Sequence, residues 1–108
     1  MTKKGQVHSW EMTIGQKIRQ LREEAGMKQR ELAAKLDIGE GFLSKVENDQ
    51  KLLKREDLKK ISKIYKVQLI DLEILWLANK VYELIKDENQ GLDALKVAEK
   101  QIKYSKRK

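Results

Sequence analysis

Residues 29–48, QRELAAKLDIGEGFLSKVEN, hold two short amphipathic patterns separated by three residues that continue neither one. Leu32, Ala33 and Leu36 recur at helical spacing, which predicts a helix from Gln29 to Leu36. Leu43 and Val46 do the same for a second helix from Glu40 to about Glu47, with Asp37-Ile38-Gly39 as the turn between them. Upstream, Ile14, Ile18, Leu21 and Ala25 mark another helix, with Thr13 and Gln16 placed for a capping box and Gly26 for a C-terminal stop. Downstream, the polar, basic stretch from Asn48 to Lys54 reads as a linker. Leu58, Ile61, Ile64 and Tyr65 then mark a fourth helix that stops near Lys66.

From Leu69 to Ile85 apolar residues are so frequent that the stripe is too wide for one contact with a small core. Leu69, Leu72 and Trp76 are expected to face that core, leaving Leu75, Tyr82 and Ile85 to be covered by a second surface. Gly91 breaks the run, and Leu92, Leu95, Ala98 and Ile102 form a last amphipathic helix. That helix can turn back and supply the cover itself; the alternative is a second copy of the chain. Residues 1–11 have no apolar periodicity, carry Lys3, Lys4 and Gly5, and are expected to form a flexible arm in which the lone His8 has no role. The expected organisation is therefore an arm over 1–11, a helical domain over 12–72 and a helical extension over 73–108.

The composition narrows the function. The chain has 108 residues with 24 Lys and Arg against 17 Asp and Glu, a formal charge of +7 and a pI near 9.6, which favours a polyanionic partner. It has no Cys and one His, so a Cys/His zinc site, a Cys nucleophile and a disulfide framework are excluded. The basic N-terminus lacks the apolar run of a signal peptide, and no stretch approaches the roughly 20 apolar residues of a membrane span; a reducing cytoplasm is the expected compartment. Absence of Pro and the small number of Gly, 6, point to an all-α chain. No nucleophile sits beside a base and no Gly-rich phosphate loop occurs, so no enzyme activity and no cofactor are expected.

Short helices joined by a turn in a basic chain are the arrangement by which a helix-turn-helix sets its second helix in the major groove. The segments Ile14–Arg22, Gln29–Leu36 and Phe42–Asn48 resemble those of the lambda-repressor-like (Cro/C1, or XRE) family, and the resemblance runs from about Thr13 to Leu72. It implies a bundle of about five short helices that binds double-stranded DNA, as a dimer at a palindromic operator. By the resemblance Lys28, Gln29 and the backbone from Lys51 to Leu53 hold phosphates. Glu40, Gly41, Ser44 and Lys45 face the groove, Lys45 donating to guanine and Glu40 accepting from a cytosine amino group. Arg55 matches a position that enters a narrow minor groove. Arg22 and Glu47 match positions that commonly form an ion pair, each beside a core residue.

Each assignment has a plainer rival. Lys45 and Arg55 can be ordinary solvated charges, Glu40 can serve the helix dipole alone, and Gly41 contributes no side chain. The sequence also departs from the family pattern: Asp37 and Asp49 stand where Gly is usual, Gly39 where Ser or Thr caps the recognition helix, and Lys28 where Ser caps the helix before it. The leading expectation is a transcriptional repressor acting as a homodimer. The alternative is an antitoxin or restriction-modification controller that also binds another protein through its C-terminal helices.

Overall fold

The computed structural model describes residues 11–107. The expected arm lies outside the described residues except for Glu11, and so does His8. Six α-helices follow one another: α1 (Ile14–Glu24), α2 (Gln29–Leu36), α3 (Glu40–Glu47), α4 (Arg55–Tyr65), α5 (Leu69–Ile85) and α6 (Gly91–Lys106). The described residues contain no strand. No helix among them is long and apolar enough to cross a membrane.

The helix ends follow from local chemistry. At the start of α1 the Thr13 hydroxyl accepts from the Gln16 N–H at 3.0 Å, and the Gln16 side chain accepts from the Thr13 N–H at 3.1 Å, so two donors without intrahelical partners are satisfied. At the start of α2 Lys28 has no acceptor to offer. Its own N–H instead donates to the Glu31 carboxylate at 2.7 Å, which keeps half of the same device. α4 begins at Arg55, a full turn before Leu58, because the linker ends where Lys54 can turn the chain in extended conformation.

Two of the departures from the family pattern have a conformational consequence. Asp37, after α2, has φ 60° and ψ 46°, and Asp49, after α3, has φ 65°. Both occupy the left-handed region that Gly adopts without a Cβ penalty. Asp37 is also exposed. Asp37→Gly is therefore expected to stabilise the fold by up to about 1 kcal/mol, read as a melting temperature a few degrees higher. An unchanged or lower value would show that local hydrogen bonding by the Asp side chain outweighs the backbone cost.

Leu21, Leu32, Leu36, Leu43, Leu58 and Ile61 lie in one core, joined by Leu72, Leu75 and Trp76 from α5. The last three stand at i, i+3 and i+4, a single helical stripe, so α5 gives the core its first half. The position where the extension was expected to begin falls inside this helix. Gly15 lets α1 close on the end of α3: a Cβ there would run into the Val46 carbonyl and lie 2.7 Å from Asp49 Oδ1.

Candidate nucleic-acid interface

In α3 the apolar positions Leu43 and Val46 point into the core, while Glu40, Gly41 and Lys45 are exposed and Ser44 is half-buried. The face formed by these four residues is polar, as a surface entering a DNA groove must be, while Phe42 on the same helix is also exposed. Asn48 Nδ2 donates back to the Ser44 carbonyl at 2.9 Å and closes the end of the helix.

Glu47 fixes that end in place. Its carboxylate, with a side chain 1% exposed, accepts from Arg22 Nε at 2.7 Å and Arg22 Nη2 at 2.9 Å. Gln29 Nε2 adds a third donor at 2.9 Å, and Arg22 Nη1 donates to the Met27 carbonyl at 2.9 Å. The bidentate pair thus ties α1 to α3, and the Gln29 bond adds α2. The hydrogen bond to Glu47 is the first cause that raises the Arg22 guanidinium above its ordinary range. Nearby, the Tyr65 hydroxyl donates to Met27 Sδ at 3.3 Å, and burial pushes its phenol above the usual value.

The expected phosphate-contacting residues come from the start of α2, the linker after α3 and the start of α4. Lys28 is exposed at the start of α2, Gln29 is half-buried with its amide already engaged by Glu47, and Lys51 is exposed in the linker. Arg55 is the first residue of α4, with its guanidinium carbon 5.3 Å from the Trp76 ring centroid and Nε 3.4 Å from Glu73 Oε2. It remains half exposed.

Of the three expected dimer residues, the structure places Leu75 in the core. It is 6% exposed, because the Leu72, Leu75 and Trp76 stripe faces inward; it has no surface left for a partner. Ile85 is half-buried and Tyr82 exposed. The outward face of α5 carries instead Ile70, Ile74, Leu77, Val81 and Leu84, all exposed. Their spacing alternates four and three residues, the repeat of a coiled-coil seam, with β-branched Ile74 and Val81 alternating with Leu77 and Leu84. That alternation was visible in the sequence, hidden by the number of apolar neighbours around it. α6 does not cover this face: its buried residue is Gly91, and Leu92, Leu95 and Ile102 are exposed.

Two short packed helices at a tight turn, the second presenting a polar face flanked by basic positions, define a helix-turn-helix protein. The helix-turn-helix family model matches residues 18–72, and the chain belongs to that family, the lambda-repressor-like DNA-binding transcriptional regulators. It is 32% identical over 88 residues to the HTH-type transcriptional regulator ImmR of Bacillus subtilis (strain 168), covering 79% of this chain and 69% of the relative. Its fold is similar to that of a chain in the SinR protein/SinI protein complex, with a TM-score of 0.50, 24% sequence identity, 86% of this chain covered and 99% of the other.

Proposed function

We propose that this regulator is a cytoplasmic repressor that binds a palindromic operator as a homodimer. α3 reads bases through Glu40, Gly41, Ser44 and Lys45, while Lys28, Gln29, Lys51 and Arg55 hold the DNA backbone or its minor groove. The observation that carries this reading is the exposed polar face of α3 on a helix whose far end is fixed by the buried Glu47. A reading helix must be held rigidly to discriminate bases. One such helix contacts only a few base pairs, so recognition of a single site in a genome calls for two copies about 34–36 Å apart.

In this reading residues 12–72 form the DNA-binding unit and residues 73–108 the extension that sets the spacing. The seam is the outward α5 stripe, which starts at Ile70 at the end of the DNA-binding unit and runs through the extension to Leu84, with Tyr82 also exposed on the helix. A self-complementary stripe of this kind suits a two-fold pair, in which the same patch serves both subunits.

Lys45→Ala and Gln29→Ala test the DNA reading together. Loss of a base contact is expected to cost about 1–3 kcal/mol on the operator and relax the preference at one base pair. Loss of a phosphate contact weakens binding on all sequences alike. Equal losses for Lys45→Ala on operator and random duplex would remove Lys45 from the base-reading set.

A second reading, a regulator that also binds a different protein, is favoured by the exposed Leu92, Leu95 and Ile102 of α6, which neither the core nor the α5 stripe uses. It predicts that a second polypeptide co-purifies with the chain from its own cells and is lost with Leu95→Glu. A homogeneous single species would leave the homodimer as the working form.

A further inference from the structure

We infer that Trp76 is a positioning residue for DNA binding: from the core-facing side of α5 it fixes the linker after α3 and the first turn of α4 in the shape that grips the phosphate backbone. The inference rests on the DNA reading of Lys51 and Arg55 given above.

The linker from Asn48 to Lys54 has few means of holding a shape. Its first residues are tied to α3 by the Asp49 N–H to Val46 and Gln50 N–H to Lys45 bonds, the second at 2.8 Å. From Lys51 to Lys54 the chain is irregular. It is anchored there by Leu53, which is 2% exposed and whose carbonyl accepts from Trp76 Nε1 at 2.8 Å. A buried carbonyl needs such a donor, and an indole N–H has no other use once buried.

The same indole meets the cation that follows. The Arg55 guanidinium lies 5.3 Å from the ring centroid, and Lys80 Nζ lies 4.6 Å from it. Glu73, one turn earlier on α5, holds Arg55 Nε. Trp76 therefore touches the linker through its edge and Arg55 through its ring. Two of the expected backbone contacts, Lys51 and Arg55, stand two residues on either side of the carbonyl it holds. A linker free to move would have to be ordered when DNA binds, whereas one already fixed presents its cations without that entropic cost.

Trp76→Phe isolates this role, because it keeps an aromatic ring in the core and removes the N–H donor. Full-length protein is titrated with a random-sequence duplex over a range of salt concentrations. The expected result is roughly tenfold weaker binding for Trp76→Phe and a slope of log affinity against log salt smaller by about 1, the signature of one lost phosphate contact. The comparison variant is Leu72→Ala, which loosens the same buried stripe without removing a hydrogen bond, and it is expected to melt earlier with the wild-type slope. A wild-type slope in Trp76→Phe, or the same change of slope in Leu72→Ala, overturns the inference. Wild-type protein that shows no salt-dependent binding overturns instead the DNA reading beneath it.

Discussion

Glu47→Gln is expected to cost about 3–5 kcal/mol of folding stability, the range for breaking one side of a buried ion pair, and to lower the melting temperature by more than about 10 °C. An exposed pair would cost about 1 kcal/mol or less, so burial decides the size of the effect. The Glu47 side chain is 1% exposed and that of Arg22 11%. The substitution keeps the shape and leaves the guanidinium, which still donates to Met27, with only the half-exposed Glu23 carboxylate at 4.0 Å as a counter-charge. The Arg22 pKa is raised in the folded protein, so this contribution is complete below the ordinary guanidinium range and is lost only as pH rises through the raised value. Alkaline pH short of that range therefore leaves the pair intact, and the loss in Glu47→Gln should be the same at pH 7 and pH 9. A melting temperature within a degree or two of wild type would show that the pair is dispensable.

Leu77→Glu is expected to convert the protein from a dimer to a monomer. Leu77 is 45% exposed at the middle of the Ile70–Leu84 stripe, so the change costs the isolated fold little, within about 0.5 kcal/mol for an ordinary surface position. In a paired seam it sets a carboxylate against its own symmetry mate in an apolar layer. Light scattering should give twice 12.7 kDa for wild type and the single mass for the variant. Operator affinity should fall by about 10²–10⁴, the gain that linking two sites supplies. A wild-type mass near 12.7 kDa contradicts the dimer, and a double mass that persists in Leu77→Glu places the seam elsewhere.

Much of the fold was legible because the helices are short and their boundaries are marked by local chemistry. The Thr13 and Gln16 box, the turn at Asp37-Ile38-Gly39 and the apolar stripes of α2 and α3 depend on neighbours within a few residues. The limits of α2 and α3 read from them coincide with those in the structure. α5 was harder. Apolar residues occupy both of its sides, so composition alone does not tell which side is inward. Leu75 is sorted to the core by how α5 seats against α4 and α1, a tertiary fact. Trp76 was legible as a core residue, but its bond to the Leu53 carbonyl spans 23 residues and has no local signal. Gln29 shows a similar limit: its place at the start of α2 is local, whereas its bond to Glu47 depends on the packing of α2 against α3.

The central claim, that α3 of two joined copies reads a palindromic site, is tested most directly by recovering genomic fragments bound by the purified full-length protein and sequencing them. The account predicts a small set of fragments sharing an inverted repeat whose half-sites lie about 34–36 Å apart, one turn of duplex. Recovery of fragments with no common sequence, in proportion to their abundance in the input, would contradict it.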